Sequence, residues 1–131
     1  MKTREDNPQD WFMLAADRLR GADILYAAEG VTFPGVEALH EAVKRYLKGF
    51  LVSRGWKIEH RHDLSYLIDR AIKHDETFRD YAGLAESLAD QFWAQHYPGG
   101  NLEGFGADYG ELRRQTGELA GHIPPDRIFW I

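Results

Sequence analysis

The chain has 131 residues, 44% hydrophobic and 28% charged, enough for one globular domain and too short for two comfortable ones. Its 16 Lys and Arg against 21 Asp and Glu give a formal net charge of −5, which disfavours a protein that coats nucleic-acid duplexes through their phosphates. The absence of cysteine removes disulfides, thiolate nucleophiles and thiolate metal sites together.

The first ten residues are polar, and no apolar run approaches a membrane span, so a cytoplasmic protein with no membrane contact is expected. Asn7-Pro8-Gln9-Asp10 reads as a helix start: Asn caps, Pro takes the first helical position and Asp sits in the first turn. Trp11, Leu14, Arg18, Leu19, Ala22, Leu25 and Tyr26 then follow a spacing near 3.6, which predicts an amphipathic helix ending near Gly30. Residues 31 to 35 read as a connection.

A second helix is predicted from Val36 to Ser53, with Val36, Leu39, Val43, Leu47, Phe50 and Leu51 facing inward. Asp63 can cap a third, which carries Leu64, Leu67, Ile68, Ala71 and Ile72. His74-Asp75-Glu76 reads as a joint, and Phe78, Tyr81, Ala85, Leu88, Phe92 and Trp93 mark a fourth helix that stops before Tyr97-Pro98. No strand-like alternation occurs. The expected fold is an all-α, antiparallel bundle of four to five helices.

Two regions follow from this reading: a helical bundle over residues 1–98, and a glycine-rich turn, short helix and apolar tail over residues 99–131. The short helix, from about Ala107 to Leu119, would place Tyr109, Leu112, Thr116 and Leu119 on one side, with Gly110 and Gly117 weakening it. The terminal Ile128-Phe129-Trp130-Ile131 is expected to dock on the bundle or on another subunit. Four Trp, six Tyr and seven Phe exceed what one small core hides, and an interface would use the surplus.

Three ordered segments resemble the HEPN domain (higher eukaryote and prokaryote nucleotide-binding domain). Trp11 to Leu25 is similar to that family's opening helix. Glu41-Ala42-Val43-Lys44-Arg45-Tyr46-Leu47-Lys48-Gly49-Phe50-Leu51 is similar to its Q-A-V-E-K-x-L-K-A-x-L, and His62-Asp63-Leu64 with Leu67 matches H-D-L-x-x-L. Gln95-His96-Tyr97-Pro98 stands where the family often has A-R-Y-P. Lys44, Glu41 and His96 depart from the usual residues at their positions.

The resemblance implies a helical bundle, commonly a homodimer, that works with a partner such as a nucleotidyltransferase in toxin–antitoxin-like pairs and contacts nucleotide or RNA. Other branches are metal-independent ribonucleases, with an Arg followed a few residues later by His. Arg54 and His60 have that spacing, and His96 is the further acid–base candidate, but Arg54 to His60 reads as a loop whereas the family's pair sits on a later helix. The expectation is therefore a binding module rather than an enzyme, with a purely structural interaction protein as the remaining alternative.

Candidate nucleotide or RNA contacts are Lys44, Arg45, Lys48, His62, His96 and Tyr97. Lys44, Arg45 and Lys48 form a basic stripe suited to phosphate, or alternatively a solvated face carrying a Glu41–Arg45 pair. His62 could instead help close the loop before the third helix, and His96 could cap the last carbonyls of the fourth. His60 and His62 lie two apart in a loop, no helix carries a His-x-x-x-His pair, and His40 is followed by Lys44. No metal is expected, and with no glycine-rich phosphate loop no cofactor is expected.

Overall fold

A computed structural model of the protein describes residues 1–60 and 63–123. Among these residues it contains five α-helices and one 3-10 segment, with no strand. The helices are α1 (Pro8–Glu29), α2 (Phe33–Ser53), α3 (Leu64–His74), α4 (Ala82–His96) and α5 (Tyr109–His122); the 3-10 turn Glu76–Tyr81 joins α3 to α4. The all-α helical bundle expected from the periodicity is the fold observed.

Local chemistry explains each start. Asn7 accepts a hydrogen bond from the Gln9 amide at 3.1 Å, and Gly30 closes α1 with φ 74°, a backbone state that costs glycine little. The second helix begins three residues earlier than the sequence reading placed it. Thr32 caps it by accepting from the Gly35 amide at 3.0 Å, and Pro34 fits in the first turn, where its missing N–H is no loss. Asp63 caps α3 through the Tyr66 amide at 3.3 Å, as expected. Phe78 and Tyr81, assigned to the fourth helix from sequence, lie instead on the 3-10 turn, because Asp75 caps that turn through the amide and hydroxyl of Thr77. The fifth helix runs to His122, past the predicted end at Leu119, and buries the four side chains its spacing marked.

The centre of the bundle is α2, which packs against α1, α3, α4 and α5. Its core side chains include Val36, Leu39, Val43, Leu47, Phe50 and Leu51, all essentially without solvent contact. Antiparallel to it, α1 crosses closely near Gly49. A Cβ there would stand 2.7 Å from Phe12 Cδ1 and 2.9 Å from Trp11 Cβ, closer than carbon atoms pack. The fifth helix closes on α1 through the stacked rings of Tyr26 and Tyr109 (4.9 Å) and a bidentate Arg113–Asp23 pair at 2.6 and 2.9 Å. The apolar terminal tetrapeptide and His62 lie outside the described residues.

The crossing yields a direct test. Replacing Gly49 with Val should lower stability by about 1–3 kcal/mol through overpacking, outweighing any gain in helix propensity. The denaturant midpoint of the variant should fall; an unchanged midpoint would show that α1 can move away at no cost.

Candidate functional site

A cavity of about 270 Å³ opens between α2, the start of α3 and α4. Glu37, His40, Glu41 and Lys44 line it from α2, a three-or-four-residue spacing that gathers them on one helical face. Ala89, Phe92, Trp93 and His96 do the same from α4, and Asp63, Leu64 and Ser65 close one end. The α2 face lies beside the apolar stripe, so packing of the core brings these polar groups against α4.

Three rings form the wall. His40 is stacked on Phe92 (4.3 Å, 16°), and Phe92 is stacked on His96 (4.0 Å, 23°). The His96 Nδ1 donates to the Phe92 carbonyl at 2.9 Å, which places its Nε2 toward Glu37 Oε1 at 3.6 Å. Only 4% of His40 is exposed, and its buried Nδ1 makes no hydrogen bond among the described residues; Glu41 Oε2 is 3.6 Å away. A buried polar atom left unpaired is costly, and a ligand that paired it would recover that cost.

Glu41 is the charged hub of the site. Its Oε2 lies 2.6 Å from the Lys44 ammonium and 3.3 Å from the Arg45 guanidinium. Burial pushes its carboxyl upward, but the His40 ring, Lys44 and Arg45 together outweigh burial and hold it far below the ordinary carboxyl range. Glu41 is therefore ionised across the physiological range.

The basic stripe does not form one surface. Lys44 lines the cavity. Arg45 turns toward α1 and lines a separate groove of about 560 Å³ with Leu14, Arg18, Gly21 and Leu25. Lys48 is only 3% exposed, its ammonium 5.4 Å over the Trp11 ring. Burial, followed by repulsion from Lys44 and Arg45, lowers its pKa to about 8. The solvated-face alternative does not describe this stripe, although its Glu41–Arg45 pair is present.

His96 shares the cavity with Lys44, whereas Tyr97 stands just outside, stacked on Trp93 at 4.5 Å. Arg54 caps the end of α2 with its guanidinium 5.3 Å over the Phe50 ring, and exposed His60 sits in the loop that follows; neither lines the cavity. Among the described residues no three His, Asp or Glu side chains converge as metal ligands. The sequence reading missed Glu37, His40, Phe92 and Trp93. Their signal was the paired spacing of residues 37, 40, 41, 44 and 89, 92, 93, 96, which has meaning only once α2 and α4 face each other.

The family model of the HEPN domain matches residues 8–119, from the first turn of α1 into the last turns of α5. The chain belongs to the HEPN domain family. No curated protein and no solved structure matches it. The matched HEPN region extends into α5 as far as residue 119. Among the described residues of this HEPN domain, no helix is long and apolar enough to cross a membrane.

The Glu41 hub sets a pH dependence. A carboxyl whose folded pKa is depressed contributes stability above its ordinary value of 4.5, and that contribution is lost as the pH falls below it. Glu41→Gln should therefore be less stable than wild type at pH 7, with the difference shrinking steadily as the pH drops below 4.5. Denaturant midpoints across that range check it; a difference that stays constant would mean that Glu41 is not held ionised by the fold.

Proposed function

We propose that this HEPN domain is a binding module that holds a nucleotide, free or within RNA, in the α2–α4 cavity with its base inward. The observation that carries the reading is the buried Nδ1 of His40, which has Glu41 Oε2 at 3.6 Å but makes no hydrogen bond among the described residues, beside a column of stacked rings. Aromatic faces stack on any nucleobase, and polar groups at the back of a slot can pair with its edge. Charge sets the orientation. Glu37, Glu41 and Asp63 oppose a phosphate deep in the cavity and accept from amino and imino groups of a base, while Lys44 is the cation that a phosphate at the mouth can use.

Binding is favoured over cleavage because Arg54 and His60 stand away from the cavity and no arginine is among its described lining residues. Calorimetry with nucleoside monophosphates and short single-stranded RNA tests the reading. Wild type should bind, and Lys44→Ala and His40→Gln should each weaken binding about tenfold or more, the cost of a lost hydrogen bond to a charged or buried group. Lys57→Ala, on an exposed loop away from the cavity, should bind like wild type. Absence of binding by wild type, or equal binding by the folded cavity variants, overturns the proposal.

The same reading includes association with a second subunit, as a homodimer or with a nucleotidyltransferase-type partner in a toxin–antitoxin-like pair. Its support is α1, a 22-residue helix that buries only Pro8, Ala15 and Ala22 and leaves Met13, Leu14, Ile24 and Tyr26 exposed. Leu14 and Leu25, three turns apart on one face, flank the groove beside Arg45. If the chain pairs with itself there, light scattering should give twice the chain mass, and a Leu14→Glu/Leu25→Glu variant should give the chain mass alone. A wild type of single-chain mass would exclude self-association and leave the heterologous partner.

A further inference from the structure

Beside the cavity, α4 carries a second aromatic feature that reaches beyond the nucleotide site. Trp93 and Tyr97, one helical turn apart, are stacked at 4.5 Å with 24° between planes. Both are more than half exposed, at 55% and 53%. They border an open groove of about 520 Å³ that runs past Pro98 to Gly100 and Asn101. Trp93 is also a wall of the cavity, so the two spaces share one side chain.

We propose that the Trp93–Tyr97 pair is a stacking platform for a second base, so that this module's ligand is a single RNA strand of at least two nucleotides rather than a mononucleotide. The inference rests on the base-inward reading of the cavity. Geometry specifies the strandedness. Trp93 stands edge-on to Phe92, with 89° between their planes, whereas Phe92 belongs to the stacked wall of the cavity. A base following the inner wall and a base following the outer platform are thus steeply inclined to each other. Neighbouring bases in a duplex are nearly parallel and cannot occupy both. A splayed single strand can, because its bases are free to unstack.

Charge favours base contacts over phosphate contacts here as well. Asp90 borders the groove and no Lys or Arg does among the described residues, so a phosphate chain laid along it would meet repulsion. Two stacked rings in water offer instead a face on which a base loses apolar surface, an attraction that tolerates any base. Asn101 supplies an amide at the groove for a base edge.

Calorimetry with the full chain separates this from the simpler reading. The probes are the four nucleoside 5′-monophosphates, the four RNA homodinucleotides and a blunt RNA duplex. At least one dinucleotide should bind about tenfold tighter than its mononucleotide, the gain expected from one more base stacked on aromatic rings. In Tyr97→Ala the ratio of the two affinities should fall toward one, and in Tyr97→Phe it should be retained. Thermal melting of each variant confirms that it is folded.

Equal affinities for mononucleotide and dinucleotide, with mononucleotide binding still sensitive to Lys44→Ala, would overturn the platform and leave the cavity reading standing. Binding of neither probe by wild type removes both. A duplex that competes as well as the single strand, or a folded Tyr97→Ala whose ratio is unchanged while its oligomeric mass shifts, also overturns the proposal; the second result would assign the rings to a protein interface.

Discussion

The constraint on which the structure turns is the enclosure of α2. It touches four other helices, and twelve of its 21 residues, from Gly35 to Leu51, are buried. A helix in that position can carry polar residues only if they pair inside the protein. Glu41 collects Lys44 and Arg45, and Lys48 lies under Trp11. The same enclosure requires glycine at residue 49, because α1 passes too near for any side chain. Charge pairing and close packing are two consequences of one burial.

The cavity is where that pairing is incomplete. Along most of its length α2 meets its neighbours through Val, Leu and Phe, but toward α4 it presents Glu37, His40, Glu41 and Lys44. The fourth helix answers with rings: Phe92 is sandwiched between His40 of α2 and His96, a column that stands beside Glu37 and Glu41. Such a lining is unsuited to a bare polyanion and suited to a planar group rich in donors. The net charge of −5 limits attraction for phosphate, whereas stacking on rings does not depend on charge.

Two helices frame this centre in different ways. The fifth is anchored by Tyr109, Leu112, Thr116 and Leu119, and the Thr116 hydroxyl meets the Leu112 carbonyl at 2.8 Å, so even its polar core residue is satisfied. By contrast α1 is held by small residues on one side and shows apolar side chains on the other. The bundle core is completed by α5 from within the chain, while the outer face of α1 keeps Met13, Leu14 and Ile24 exposed. The bidentate Asp23–Arg113 pair and the stacked Tyr26 and Tyr109 rings link the two helices.

The helices were legible along the chain, because periodicity, capping residues and prolines act within a few positions of one another. Asn7, Asp63 and Gly30 mark ends that the structure keeps, and the family could be read from ordered segments along the chain. Its errors were also local: Thr32 starts α2 ahead of Pro34, and Asp75 captures residues 76–81 in a tighter turn. Tertiary structure alone decided the site. Lys44, Arg45 and Lys48 look like one stripe in sequence, yet Lys44 and Arg45 are successive residues pointing about 100° apart, Lys48 lies a full turn further along α2, and three different neighbours cover them. Lys44 reaches the cavity, Arg45 the α1 groove and Lys48 the underside of Trp11. Which faces of α2 and α4 meet depends on packing across the whole bundle, and no spacing along the chain records it.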